Sequence, residues 1–200
     1  MPNPIEFYFD FSSPYSYLAS EKIEALAARH GRRVQYKPIL LGAAFQVAGT
    51  RPLVDIPLKG EYSKRDLVRS ARFEGVPFAL PQPFPVATVG AARAHLWLSD
   101  RDPARAQAFV HAAFRAYFAQ GRNIAQSDVL EQVLREVGAD PTEVLPAIQQ
   151  PAIKERLRAQ VDEALARGVF GAPFMFVDGE PFWGHDRMPQ VERWLAEGPF

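Results

Sequence analysis

The chain of 200 residues contains no cysteine. It therefore supplies no disulfide, no thiolate metal ligand, no Fe–S cluster ligand and no redox-active thiol of its own. Its four histidines show no spacing typical of a metal site, and we predict no metal. Lys plus Arg and Asp plus Glu both number 23. The resulting net charge of zero argues against broad electrostatic binding of nucleic acid or an anionic membrane.

Long apolar runs are also absent. No segment approaches the roughly 20 apolar residues of a membrane span, and residues 1–6 lack the features of a signal peptide. Glycine-rich phosphate loops and the Gly-x-Ser-x-Gly motif of serine hydrolases do not occur. We therefore expect a cytoplasmic protein without nucleic-acid or membrane partners. Its length suits one domain, or one domain with a large insertion.

The first 41 residues predict a strand, a helix and a second strand. Residues 5–11 alternate with a period of two, which is typical of a strand. Ser13-Pro14 suits the start of a helix, which we expect to continue to His30. A second strand is predicted over 33–41. The short connection makes this a βαβ opening, for which parallel pairing is the default.

The remaining chain predicts a helical middle and a β-β-α ending. Residues 42–85 are rich in proline and glycine and contain one short helix over 64–74. Helical spacing predicts five further helices, at 87–98, 103–120, 127–137, 141–149 and 151–166. A hairpin of strands 174–177 and 180–183 and a helix over 186–196 complete the chain.

These strands are the inventory of a thioredoxin-like sheet. We predict an α/β fold in which residues 1–41 and 168–200 form a thioredoxin-like core. Residues 42–167 are predicted to form a mainly helical insertion.

The segment Ser13-Pro14-Tyr15-Ser16 occupies the place of the Cys-x-x-Cys motif in a thioredoxin-type fold. There, the helix N-terminus stabilises a thiolate. Serine does not cycle between redox states, so we exclude oxidoreductase and disulfide-isomerase activity by this chain. The same geometry still suits a thiolate brought by a ligand, with the Ser13 hydroxyl as donor. The alternative is that Ser13 is only a helix cap.

Two C-terminal segments are further candidates. A cis proline at Pro173 would expose the backbone of Ala172 to a bound peptide, and the alternative is an ordinary trans proline at a strand start. Asp186 lies between the last strand and the last helix. Its carboxylate, beside free N–H groups, suits the ammonium of an α-amino acid group, unless it only caps the helix.

Together these segments resemble the 2-hydroxychromene-2-carboxylate isomerase family, relatives of kappa-class glutathione transferases within the DsbA-like group. Residues 7–19 are similar to the family's N-terminal signature, and residues 169–173 with 183–187 to its C-terminal signature. The resemblance covers nearly the whole chain. It implies a DsbA-like thioredoxin fold, a homodimer and bound glutathione as cofactor.

The resemblance also implies roles for single residues. Ser13 matches the catalytic serine that hydrogen-bonds the glutathione sulfur. Ala172 and a cis Pro173 match the residues at the cysteinyl part. His185 and Asp186 match the pair at the γ-glutamyl end, although the family's usual residue at position 185 is Ser or Asn.

The middle segment has further matches. Lys59 and Tyr62 match positions that approach the glycyl carboxylate, and Thr50 stands where many relatives carry Asn. We expect an aromatic carboxylate substrate in a pocket between core and insertion, lined by residues 78–81 and Phe84. Candidate partners of the substrate carboxylate are Arg72 and Arg93.

The resemblance implies an isomerase that interconverts 2-hydroxychromene-2-carboxylate and trans-o-hydroxybenzylidenepyruvate, or a related aromatic keto acid. Reversible addition of the glutathione thiol would permit the isomerisation and leave glutathione unconsumed. One alternative is a kappa-like glutathione transferase or peroxidase. Another is a non-catalytic protein that binds thiol peptides.

Overall fold

Four strands form a mixed sheet in the structure, a computed structural model that describes residues 2–200. The strands are β1 (Ile5–Phe9), β2 (Val34–Pro38), β3 (Phe174–Val177) and β4 (Glu180–Trp183). They lie in the order β2-β1-β3-β4. Strand β1 pairs parallel to β2 and antiparallel to β3, and β4 pairs antiparallel to β3. The predicted thioredoxin-like arrangement is confirmed.

Nine α-helices accompany the sheet within residues 2–200. They are α1 (Pro14–Arg29), α2 (Leu41–Ala48), α3 (Lys59–Glu74), α4 (Val89–Ser99), α5 (Pro103–Phe118), α6 (Ser127–Glu136), α7 (Pro141–Ala147), α8 (Pro151–Ala166) and α9 (Met188–Glu197). Short 3₁₀ helices, Leu53–Asp55 and His185–Arg187, precede α3 and α9. In this part of the chain, no helix is both long and apolar enough to cross a membrane.

The starts of α2, α3 and α9 are predicted wrongly, and all three helices begin without a capping side chain. Helix α2 is absent from the prediction, and the residue before it, Leu40, forms no side-chain capping bond. Helix α3 begins at Lys59, five residues before the predicted start, and the preceding Leu58 again forms no such bond. The last helix begins at Met188 rather than at residue 186, because a 3₁₀ turn occupies the intervening positions.

Different helices cover the two faces of the sheet. Phe7 and Phe9 of β1 are fully buried in the cluster that also contains apolar side chains of α1 and α5. The rings of Phe9 and Phe114 of α5 lie 5.7 Å apart. Tyr8 points to the other face, where it packs in a cluster with Ala164 of α8. The period-two alternation of β1 thus places helices on both faces.

The division into a core of 1–41 and 168–200 and an insertion of 42–167 stays a prediction, and α8 bears on it. Although α8 lies within the predicted insertion, it packs on the sheet through Ala164. Gln160 of the same helix donates a hydrogen bond to the Pro38 carbonyl of β2. Helix α8 therefore lies directly on the sheet.

The buried carboxylate of Asp10, just after β1, joins three segments. Its Oδ1 accepts hydrogen bonds from the Ser12 N–H (2.8 Å), the Ser12 hydroxyl (2.9 Å) and the Thr88 hydroxyl (2.8 Å). Its Oδ2 accepts from the Leu41 N–H at 2.7 Å. Leu41 begins α2, and Thr88 directly precedes α4. One side chain thus holds the loop before α1 and the starts of two other helices.

The substitution Asp10→Asn is expected to lower the free energy of unfolding by about 2–3 kcal/mol. The amide NH₂ group replaces one accepting oxygen, so the donor that this oxygen served is left without an acceptor. Denaturant unfolding monitored by circular dichroism measures this loss. Asp128→Asn is the matched control, since Asp128 is exposed in the first turn of α6. Its cost is expected to stay within about 0.5 kcal/mol. Equal costs for the two variants would contradict the structural role of Asp10.

A second polar cluster joins α1 to α5. His111 Nε2 lies 2.9 Å from Oε1 of Glu24, and Arg115 forms two hydrogen bonds with Glu21, of 2.9 and 2.6 Å. Burial alone would lower the pKa of His111, but the nearby carboxylates of Glu21 and Glu24 outweigh it and raise the pKa to about 9. The folded chain thus holds His111 protonated at neutral pH.

We expect His111→Gln to destabilise the chain by about 2 kcal/mol near pH 6. The raised pKa means that this stabilisation is fully present below about 6.5, the unfolded value, and is lost as the pH rises through about 9. The difference in unfolding free energy between the two chains should therefore shrink from about pH 6 to about pH 9.5 in denaturant titrations. A constant difference would show that His111 acts without its charge.

Candidate active site

A cleft of about 1210 Å³ lies between α1, α3 and the segment that leads from β4 into α9. Its wall includes Tyr15, Arg69, Ala172, Pro173, His185 and Asp186. The structure thus brings together the two C-terminal segments that the sequence singles out. Ser13, Thr50, Lys59 and Tyr62 are not part of this wall.

Ser13 caps α1 and contacts the cleft wall through Ala172. Its Oγ accepts a hydrogen bond from the Ser16 N–H at 3.1 Å, which confirms the capping interpretation. The same hydroxyl donates to the Ala172 carbonyl at 2.9 Å. Ser13 is only 3% exposed. The cap thus has a second partner, which a helix start alone does not require.

The peptide bond between Ala172 and Pro173 is cis, as predicted. The Pro173 carbonyl accepts from the Gly184 N–H at 3.0 Å, whereas the Ala172 N–H has no hydrogen-bond partner among residues 2–200. Gly171 permits this packing, because a Cβ there would lie 2.6 Å from Nε1 of Trp183. One backbone donor beside the start of α1 therefore remains available to a ligand.

The rings of Tyr15 and His185 stack across the cleft wall. Their centroids lie 5.0 Å apart, with 18° between the ring planes. Burial, with smaller contributions from Asp66, Tyr62 and Asp186, raises the pKa of Tyr15 to about 12. Burial also lowers the pKa of His185. Both side chains are therefore uncharged at neutral pH.

Asp186 does not cap α9, so that interpretation is wrong. The residue at the capping position is Arg187, which forms no side-chain capping bond. The Asp186 carboxylate instead turns back beside Gly184, where a Cβ would lie 2.4 Å from Oδ1. Gly184 has φ of 112°, a conformation that favours glycine. The exposed carboxylate lies 3.5 Å from Arg187 Nη1 and is open to the cleft.

The predicted contacts from the middle segment lie further out. Tyr62 is exposed but linked to the wall, because Arg69 donates a hydrogen bond to its hydroxyl at 3.1 Å. Lys59 is the first residue of α3, and Thr50 follows the end of α2. Both are exposed and lie outside the cleft wall.

The residues expected to line the substrate pocket lie elsewhere. Phe78 stacks on Phe118 of α5 with 5.9 Å between centroids, and Phe84 packs edge-on against the same ring at 6.2 Å. Neither belongs to the cleft wall, and nor do Arg72 and Arg93. The apolar character of this segment reflects packing on the core.

Sequence reasoning missed the charged residues of the wall. Asp66 and Arg69 of α3 pair with each other, and Lys22 of α1 pairs with Glu74 of α3. Charges at this helical spacing are typical of any exposed helix face. Only the packing of α3 along α1 brings them to the cleft. For Tyr15, its place at the start of α1, between two motif serines, was an available signal.

Known proteins that are similar to this chain identify its family. Residues 4–196 match the DSBA-like thioredoxin domain family. A 2-hydroxychromene-2-carboxylate isomerase from Sphingobium xenophagum is 35% identical over 202 residues, which span 98% of this chain and 100% of the relative. The chain belongs to the 2-hydroxychromene-2-carboxylate isomerase family.

A solved structure agrees with membership of this isomerase family, and a kappa-class relative agrees with the wider relationship that the sequence indicates. A solved structure of a 2-hydroxychromene-2-carboxylate isomerase matches with a TM-score of 0.88 and 29% identity, over 96% of this chain and 94% of that one. Glutathione S-transferase kappa 2 from Caenorhabditis elegans is 31% identical over 100% of this chain and 95% of the relative. The resemblance and the DsbA-like fold that the sequence predicts are confirmed.

Proposed function

We propose that this chain is a glutathione-dependent isomerase that interconverts 2-hydroxychromene-2-carboxylate and trans-o-hydroxybenzylidenepyruvate, or a related aromatic keto acid. The contact between the Ser13 hydroxyl and the Ala172 carbonyl carries the proposal. It joins a buried hydroxyl and a helix N-terminus to Ala172 of the cleft wall, which carries a free backbone N–H. Two relatives that match over 100% and 92% of their own length are isomerases of this name.

Glutathione fits the groups that the cleft offers. The Ala172 N–H and carbonyl together suit the backbone of an extended cysteinyl residue. The exposed carboxylate of Asp186 suits the ammonium of the γ-glutamyl residue. Because the chain contains no cysteine, any thiol at the start of α1 comes from a ligand.

The glycyl end of the ligand is proposed to lie towards α3. Tyr62 is joined to the cleft wall by Arg69, and it is the middle-segment residue best supported by the geometry. Lys59 and Thr50 retain their proposed roles as a cation and a hydroxyl for the glycyl carboxylate.

The proposed task of Ser13 is to favour the thiolate. Its hydrogen is directed at the Ala172 carbonyl, and the N–H of a cysteinyl residue can replace it there, which frees the hydroxyl to donate to sulfur. Each unit by which the thiol pKa falls below about 8.5 requires about 1.4 kcal/mol of thiolate stabilisation. A hydrogen bond to a charged group contributes about 1.5–3 kcal/mol, and the N-terminus of α1 adds to it.

Bound glutathione supplies a thiolate that adds reversibly to the conjugated carbon of the substrate. The chain holds that sulfur and accommodates the aromatic ring. Apolar side chains of Tyr15, Leu18, Phe73 and Trp183 line the cleft and suit such a ring. Phe73 and Trp183 are 88% and 54% exposed, so their surface is free to cover a substrate.

A kappa-like glutathione transferase or peroxidase is the second candidate. The 31% identical kappa 2 relative favours it, and the same Ser13 site would serve it. A transferase consumes the thiol, whereas an isomerase returns it. A non-catalytic thiol-peptide binding protein would bind glutathione without turnover.

Cytoplasmic location and assembly into a homodimer stay predictions. Sedimentation equilibrium of the purified chain tests the second. A mass equal to that of one chain would contradict it.

The purified chain with reduced glutathione is expected to convert 2-hydroxychromene-2-carboxylate without net loss of thiol. Ultraviolet absorbance follows the substrate, and titration of free thiol runs in parallel. Conversion that requires glutathione at substoichiometric amounts supports the isomerase. Loss of thiol in step with turnover would favour the transferase, and binding without turnover the non-catalytic protein.

Ser13→Ala is expected to lower kcat by about tenfold to a hundredfold, which corresponds to the loss of one charge-assisted hydrogen bond. It should also cost about 1 kcal/mol of stability as a lost helix cap. Asp140→Ala is the matched control. Asp140 caps α7 by accepting from the Thr142 N–H, away from the cleft, and its loss should leave kcat unchanged. If both variants keep full activity, Ser13 is a cap and no more.

A further inference from the structure

His185 presents an oriented imidazole without a polar partner. Its ring forms part of the cleft wall and stacks on Tyr15 at 5.0 Å. Neither ring nitrogen forms a hydrogen bond or an ion pair with residues 2–200. The stack fixes the ring plane, and both ring nitrogens remain available to form hydrogen bonds with a ligand.

The titratable groups around this imidazole come from three segments. Those facing it are Asp186 and Arg187 of its own segment, Asp66 and Arg69 of α3, and Lys22 and Tyr15 of α1. Burial is the largest influence on the ring and lowers the pKa of His185. The carboxylates of Asp186 and Asp66 oppose this effect, and Lys22 adds to it. The imidazole is therefore neutral in the free chain at neutral pH.

The adjacent Asp186 determines what would lie beside the ring. An α-amino acid group carries its ammonium and its carboxylate on the same carbon atom. If the ammonium binds Asp186, the carboxylate lies within reach of a neighbouring side chain. A carboxylate within about 4–6 Å of an imidazole favours the protonated ring. Tyr15 is uncharged and does not compete for this role.

We propose that His185 binds the γ-glutamyl α-carboxylate of glutathione as an imidazolium, so that binding is coupled to proton uptake. This inference rests on the proposed function and adds a side-chain role at position 185. The neutral Ser or Asn that the family resemblance implies at this position has no proton to exchange. The proton linkage is thus specific to chains that carry histidine here.

The direction of the pH dependence follows from this exchange. Binding raises the pKa of His185, so affinity increases as the pH falls and is lost as the pH rises through the bound-state value. Between the free and bound values, each pH unit changes Kd by up to about tenfold. The pKa values of His111 and His95, about 9 and about 4, put both outside the range from about pH 6 to 7.5.

Calorimetric titration of the full chain with S-methylglutathione tests the proposal. This probe has no ionisable thiol, so proton exchange between about pH 6 and 7.5 reports on the protein. Titration near pH 6.5 in two buffers of different ionisation enthalpy gives the number of protons. We expect an uptake of about 0.3–1 proton per ligand, and a Kd at least threefold lower near pH 6 than near pH 7.5.

Two variants separate the ring nitrogens from the stack. His185→Phe retains an aromatic ring on Tyr15, and His185→Asn removes it. Both should bind S-methylglutathione without proton uptake and with an almost constant Kd. His30→Asn is the control, because His30 ends α1 beside Glu192, outside the cleft wall, and the variant should retain the uptake.

The outcomes distinguish this inference from the proposed function. Binding without proton uptake by the unaltered chain overturns the inference and leaves the glutathione site intact. Uptake that persists in His185→Phe also overturns it and assigns the proton to another group. Absence of any binding overturns the glutathione site, and the inference with it.

Discussion

The buried carboxylate of Asp10 is the interaction on which the placement of the candidate site depends. It is 3% exposed, and a buried charge requires donors that satisfy it. Those donors come from Ser12, Leu41 and Thr88, which begin or precede three different helices. The end of β1 is thereby tied to the starts of α2 and α4. Ser13 lies within this tied loop, so the start of α1 has little freedom to move relative to the sheet.

The second half of the site reaches this loop through the sheet. Strand β3 pairs with β1, and this pairing brings Ala172, just before β3, beside the helix start that follows β1. The hydrogen bond between the Ser13 hydroxyl and the Ala172 carbonyl joins these two segments, which are 159 residues apart in the sequence. A capping hydroxyl and a free backbone N–H do not require a cysteine. The start of α1 therefore offers hydrogen-bond donors to a ligand although the chain has no cysteine there.

Elements with local signals could be predicted from the sequence, and the others depend on distant contacts. Gln150-Pro151 marks the start of α8, whose predicted bounds agree with the structure. Helix α2 has no such mark, and its first N–H is held by Asp10, 31 residues earlier. Helix α3 starts at Lys59, before its predicted position, and its second residue is a glycine, Gly60, whose Cβ would lie 2.3 Å from the Val54 carbonyl oxygen. Helix propensity carries no information on such tertiary contacts, so the sequence does not predict where α2 and α3 start.

The same division applies to the candidate site. The sequence indicated Ser13, a cis Pro173 and Asp186 because each belongs to a short motif with a local physical reason. It placed Phe84 in a substrate pocket, but an apolar residue type does not specify which surface it covers, and the ring packs on the core. His185 was indicated as one of the pair at the γ-glutamyl end and as a departure from the family's usual residue. Its stack on Tyr15 fixes the ring beside the carboxylate of Asp186. An imidazole that is fixed there without a hydrogen-bond partner can couple ligand binding to proton uptake.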